Sequence, residues 1–187
     1  LYPRLAKGSG TLHRGSRDRP AHQTVATLNV YIYICIVMKI EEAIQQKSFR
    51  NEHQKLQINI LYTAAWLSQQ TTQLLKPFNL SWQQFNILRI LRGMHPEPAS
   101  VKLLTERMID KMSNASRLVE KLKQKGLVDR RECPEDRRRV DIVITEQGLE
   151  VLEKASLLVE TELENKLLAV SDMDAAQANQ ILDQMRG

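Results

Sequence analysis

From residue 52 onward the apolar positions fall at intervals of three and four, and then, for one short stretch, at intervals of two. Leu56, Ile60, Ala64, Leu67 and Leu74 recur with Gln, Thr and Lys between them until Pro77 interrupts the run. That spacing predicts a long amphipathic helix over 52–76, because positions three and four apart share a face and proline cannot continue the hydrogen-bond ladder. Ser81-Trp82-Gln83-Gln84 has the Ser-x-x-Gln form in which a serine oxygen and a glutamine side chain each satisfy a free amide at a helix start. Phe85, Leu88 and Leu91 follow on one face, which predicts a second helix to about Arg92. Gly93 to Pro98 contains a glycine and two prolines and is predicted to be a loop.

Two short helices come next. Ser100 is placed to cap one that carries Leu103, Leu104 and Met108. After residues 109–111 another sets Ala115, Leu118, Val119 and Leu122 on one face, with Gly126 as its left-handed stop. The period then changes. Leu127 to Glu132 and Val140 to Ile144 are extended candidates, the second clearly alternating, and residues 133–139 join them as the charged tip of a hairpin. From Thr145 the helical spacing returns at Leu149, Leu152, Ser156, Val159, Leu163 and Leu167, and a last helix is predicted over about Asp174 to Met185. Helix, helix, turn, helix and two-stranded hairpin, in that order, make a winged helix-turn-helix. The expected fold is mainly α with a small β-hairpin. The winged helix-turn-helix domain spans 78–145, between N-terminal dimerisation helices at 38–77 and C-terminal dimerisation helices at 146–187.

Residues 1–37 break this pattern. Residues 1–26 mix Pro, Gly, Ser, Arg and His without an apolar period, and Leu28 to Met38 is a nearly unbroken β-branched and aromatic run. That run is too short to span a bilayer, and no small-residue cleavage site follows it, so no secretion signal and no membrane partner are expected. The segment is expected to be a non-native or disordered N-terminal extension, with ordinary sequence opening at Met38. If native, it would be a mobile basic arm or an extra element packed on a dimer.

Composition narrows the class. The chain has 187 residues, 42% hydrophobic and 26% charged, which suits one globular domain with a real core. Two cysteines, Cys35 and Cys133, exclude a disulfide framework and show no zinc-finger pairing, and they fit a reducing, cytoplasmic setting. Net charge is +5, but its placement says more than its sum: residues 100–145 hold twelve basic and eight acidic side chains, residues 146–187 three and nine. A basic middle and an acidic tail suit a chain whose centre meets phosphates and whose end is held away from them.

The chemistry follows from the faces. If Ala115, Leu118, Val119 and Leu122 point inward, Ser113, Asn114, Arg117 and Lys121 point outward, with Ser116 at the margin. Such a face fits a DNA major groove, where small residues allow close approach and an arginine can make a two-pronged bond to guanine. Taken alone the face would also serve as a solvated helix surface, a reading that the hairpin immediately downstream disfavours. Arg137, Arg138 and Arg139 at the hairpin tip repel one another, which folding does not require and a phosphate-lined minor groove rewards; a solubilising charged turn is the other reading. His53 and His95 are isolated, and Cys133 beside Pro134 is read as an unreactive thiol. No Gly-rich phosphate loop, His-Glu-x-x-His motif or nucleophile-base set occurs. No enzyme activity, cofactor or metal is expected.

Three stretches in order carry a likeness: Leu80-Ser81-Trp82-Gln83-Gln84-Phe85 to Leu91, Ser113 to Leu122 through Gly126-Leu127-Val128, and Asp136-Arg137-Arg138 to Ile144-Thr145. Across about 48–187 the chain resembles the MarR family of bacterial transcriptional regulators, the last stretch being similar to that family's Asp-x-Arg wing. The resemblance implies that Arg138 enters the minor groove, that Asp136 braces it through an ion pair, and that Arg137 and Arg139 meet phosphates. It also implies a homodimer on a palindromic operator, repression, and release by a small-molecule effector or an oxidant.

The apolar stripes at Leu56 to Leu74 and Leu149 to Leu167 exceed what one small wing domain covers, so both chain ends are expected at the dimer interface; an intramolecular helical cap is the alternative. A ligand groove lined from near Leu61, Ala65, Trp66, Phe85 and Leu88 is conceivable, although core packing explains these residues equally well. A winged-helix protein-interaction module and a nonspecific DNA-binding protein remain as other functions of the same sequence.

Overall fold

The computed structural model describes residues 38–132 and 140–187. The expectations for residues 1–37 and for Cys133, Asp136, Arg137, Arg138 and Arg139 lie outside the described residues. The elements are α1 (Ile40–Ala43), α2 (Glu52–Leu75), a 3-10 turn (Lys76–Phe78), α3 (Trp82–Arg92), β1 (Ala99–Ser100), α4 (Val101–Arg107), α5 (Ala115–Gln124), β2 (Val128–Glu132), β3 (Val140–Ile144), α6 (Glu146–Leu167) and α7 (Asp172–Arg186).

Local chemistry sets most boundaries. Pro77 falls inside the 3-10 turn that ends α2, and Asn79 closes that turn in the left-handed region at φ 53°. The Ser81–Gln84 capping box is complete: Ser81 Oγ accepts from the Gln84 amide, and Gln84 Oε1 accepts from the Ser81 amide, both at 3.2 Å. Ser100, Asn114 and Thr145 cap α4, α5 and α6 through their side-chain oxygens, each such cap stabilising by about 1 kcal/mol. Met108 departs from the expectation. It is the extended residue just past α4, not a helical one, and it is buried there because the chain turns its side chain into the core.

The core surrounds α3, whose Phe85, Ile87, Leu88 and Leu91 are all buried. Ala115, Val119 and Leu122 of α5, Val128 of β2, Ile142 of β3 and Leu152, Ala155 and Val159 of α6 complete it. Burying a leucine or valine of this kind stabilises by about 1.5–3 kcal/mol over leaving it in water. Buried Asn86 takes the role of an internal strut, its Oδ1 accepting from the Ile109 amide at 3.0 Å.

Two features add to these expectations. The hairpin is part of a three-stranded antiparallel sheet ordered β1-β3-β2, with Ala99 opposite Ile142 and Val128 opposite Ile144. A two-residue strand has no period of its own and becomes visible only when paired. The α6 stripe is also not free for a partner along its length. Leu152, Ala155, Ser156 and Val159 are buried within the chain, and Leu152, Ala155 and Val159 join the same core as α3. What remains exposed lies farther out, at Leu56 and Leu61 of α2, Leu157 and Leu167 of α6, and Met173 and Ile181 of α7, a helix with no buried residue.

Candidate nucleic-acid interface

α5 is anchored by its apolar side and presents the other. Ala115, Val119 and Leu122 are buried and Leu118 is half-buried, whereas Asn114, Ser116, Arg117 and Lys121 are exposed and Ser113 is partly so. The five outward residues singled out above therefore lie together at one end and one side of this helix.

The structure assigns some of their atoms to folding. Asn114 is the N-cap, its Oδ1 accepting from the Arg117 amide at 3.0 Å, which leaves its side-chain NH2 as the wholly uncommitted group. Ser113 Oγ donates to Asp110 Oδ2 at 2.6 Å, and Asp110 Oδ1 accepts from the Met112 amide at 3.1 Å. Arg117, Ser116 and Lys121 retain free side chains: no hydrogen bond or ion pair engages them among the described residues. Across the wing side, Arg130 Nη1 of β2 sits 3.8 Å from Glu120 Oε2, which offsets the one carboxylate on α5 that would repel a phosphate.

Sequence reasoning missed three residues here. Asp110 organises the turn into α5, Gln83 borders the same depression as Ser113, Asn114 and Arg117, and Met112 stands 94% exposed just before the helix. An apolar side chain at that point suits the C5-methyl of a thymine. The Asp-x-x-Ser spacing was the only signal for the first of these. A Gln near the start of α3 has no signal of its own, because its neighbours are set by how α3 and α5 cross.

Asp110 carries a pH prediction. The Ser113 hydroxyl first, then the Met112 amide and more weakly Gln83, hold its carboxyl below the ordinary value of 3.8, against an opposing desolvation. A depressed folded-state value means that the turn is fully held above about pH 4 and loosens as pH falls through the depressed value. The Met112 and Ser113 amide resonances should titrate together below about pH 4 and stop doing so in Asp110→Asn. Titration at or above the ordinary aspartate value would contradict the assignment.

The ligand groove conceived near Leu61, Ala65, Trp66, Phe85 and Leu88 does not form as such. Leu61 and Ala65 are exposed and Leu88 is wholly within the core. A cavity of about 270 Å³ does lie beside Phe85, lined by Thr71, Trp82, Arg89, Val159 and Leu163, with Glu160 and Glu164 also on its wall. Trp82 and Phe85 have ring centroids 6.1 Å apart, and the Arg89 guanidinium lies 5.9 Å over the Phe85 ring. Among the described residues no cluster of His, Cys, Asp and Glu could hold a metal, and no helix is long and apolar enough to cross a membrane.

Comparison with known proteins places this arrangement. Residues 80–140 match the model of the MarR family. The HTH-type transcriptional repressor IacR of Pseudomonas putida is 26% identical over 116 residues, 62% of this chain and 68% of that protein. A cysteine-to-serine mutant of MarR from E. coli, solved in complex with operator DNA, aligns with a TM-score of 0.63 at 21% identity, over 74% of this chain and 99% of that one. The organohalide-sensing regulator RdhR-CbdbA1625 in its 2,4-dichlorophenol-bound form aligns at 0.67 and 18% identity, over 75% of this chain and 85% of that one. The two structures speak for the fold. The family match runs from just before the α3 capping box, through α5 and β2, to the first residue of β3. The chain is thus similar to the MarR family over residues 80–140 and shares the winged helix-turn-helix fold of MarR-like regulators.

Proposed function

We propose that the protein is a homodimeric repressor that binds a palindromic operator in double-stranded DNA and is released by a small ligand. The observation that carries this reading is the division of α5 into a buried apolar side and an exposed side with Ser116, Arg117 and Lys121 free of internal partners among the described residues. In the proposed complex α5 lies in the major groove, where Arg117 and the free amide of Asn114 meet base edges and Ser113 and Lys121 approach the backbone. Arg138, braced by Asp136, enters the minor groove, and Arg137 and Arg139 meet phosphates.

A second copy supplies the second half-site. Supporting this, the apolar residues left exposed concentrate on the helices from the two chain ends: Leu56, Ile60, Ala64 and Leu67 of α2 and Ile181 and Leu182 of α7 line one apolar groove of about 390 Å³. Water-exposed apolar area of this kind is characteristic of an association surface. The cavity beside Phe85 is the proposed effector seat. Its aromatic wall and single guanidinium suit a small aromatic ligand, and it lies between α2, α3 and α6, where occupancy bears on the spacing of two reading helices. The ligand-bound form of RdhR-CbdbA1625 shows that a protein of this fold accommodates a chlorinated phenol.

Selection of bound sequences from random duplexes tests the reading. An inverted repeat with a fixed half-site spacing is expected, together with a dimer by light scattering at micromolar concentration. A random pool would leave a nonspecific DNA-binding protein. An Arg138→Ala variant with unchanged affinity would favour a protein-interaction module instead.

A further inference from the structure

Two depressions beside α5 share part of their walls. The first, about 290 Å³, is the reading face itself, bordered by Gln83, Ser113, Asn114 and Arg117. The second, about 490 Å³, shares Leu118 and Lys121 with it and continues past them to Lys125, Lys76 and the start of α3 at Ser81. Three ammonium groups line this second part, and none of the residues lining it is an Asp or a Glu. None of Lys76, Lys121 and Lys125 has an ion-pair partner among the described residues.

Lys125 is the most constrained of the three. Its Nζ donates to the Asn79 carbonyl and to Gln84 Oε1, the latter at 3.0 Å, and both acceptors are neutral. Burial first, and then the charge of Lys121, push its amine below the ordinary lysine value. Gathering like charges in a partly desolvated cleft costs folding free energy, and an anion placed there reverses the sign of that interaction. The N-terminus of α3 adds a positive field at the same wall, although its amides near Ser81 and Gln84 are already committed to the capping box.

We infer that this cleft seats the phosphodiester backbone of the operator strand bordering the major groove that α5 occupies, with Lys76 and Lys125 as phosphate contacts outside the reading face. The inference rests on the DNA-binding reading above. A DNA strand is the committed occupant because the cleft adjoins the reading face, the two sharing Leu118 and Lys121 in their walls. A backbone leaving the bases opposite Arg117 carries a regular row of charges, and that row passes from Lys121 toward Lys125 and Lys76.

The test measures affinity for a selected operator duplex and for a random duplex of equal length across a salt series. Wild type, Lys76→Gln and Lys125→Gln are compared, with thermal unfolding as a check on folding. Each variant should weaken both duplexes by a similar factor, keep the preference between them, and reduce the slope of log K against log salt by about 0.9 for each phosphate no longer neutralised. Lys125→Gln also removes two hydrogen bonds; exposed Lys76 provides the decisive variant if that protein fails to fold.

Unchanged slope and affinity in Lys76→Gln, in a background where wild type discriminates operator from random duplex, would overturn the cleft and leave the DNA-binding reading standing. Wild type that binds neither duplex would overturn both. Inorganic pyrophosphate alone supplies the last arm: saturable shifts of the residue 76 and 125 amides, with no change of slope in the variants, would assign the cleft to a free anion and overturn the strand as its occupant.

Discussion

Replacing Gly148 by alanine should destabilise the protein by about 3 kcal/mol or more, the upper end of what overpacking a fixed site costs. A β-carbon built there falls 2.1 Å from the Leu127 carbonyl oxygen, 2.8 Å from Ile144 Cγ1 and 3.1 Å from the Leu127 carbonyl carbon. Flexible side chains can move away from an added methyl group, but a backbone carbonyl in a ladder cannot. Leu127 O already accepts from the Thr145 amide at 3.2 Å, and Leu127 itself follows Gly126, which holds the left-handed φ of 71° that ends α5.

Thr145 fastens the same point a third way, its hydroxyl donating to Gly126 O at 2.8 Å while accepting from the Gly148 amide at 3.0 Å. The end of α5, the start of β2 and the start of α6 thus meet within a few ångströms. Denaturant unfolding of Gly148→Ala measures the effect, and a midpoint shift worth less than about 1 kcal/mol would mean that this junction yields. Because the clash forces α6 away from β2, the folded fraction of the variant should also bind operator more weakly.

The second large effect is expected at Arg117. Its guanidinium is exposed and unpaired among the described residues, so truncation leaves the internal packing as it is, and unfolding should be nearly unchanged. Arg117→Ala should lower affinity for a selected operator by about 1–3 kcal/mol, roughly 5- to 150-fold, while affinity for a random duplex falls much less. Competition binding at fixed salt checks this. An equal loss on both duplexes would make Arg117 a phosphate contact and remove it from base readout. Asn114→Ala is a less clean probe, because it also deletes the cap of α5, a loss of about 0.5–2 kcal/mol in stability.

How far the sequence could be read depends on the range of each signal. Ser81 with Gln84, Ser100, Thr145, Pro77 and Gly126 each act within about four residues, and each marks a boundary that the structure keeps. The division of α5 into two sides was equally legible, because a helix maps spacing directly onto direction. Which atoms of the outer side stay available was not. Ser113 and the Asn114 oxygen look free in a one-dimensional reading, yet Asp110 and the Arg117 amide engage them once the turn closes.

The sequence by itself determined the order of elements, the capped helix ends, and the helix side that carries Asn114, Arg117 and Lys121. Only the tertiary structure decided that Ala99 and Ser100 extend the sheet, that the Leu152 to Val159 stripe is consumed inside the chain, that Gly148 has no room for a methyl group, and that Lys76 meets Lys121 and Lys125. The physical reason is distance along the chain. Caps and periodicity are set by neighbours three or four residues apart, whereas these four features join segments far apart in sequence, whose meeting depends on how whole elements pack.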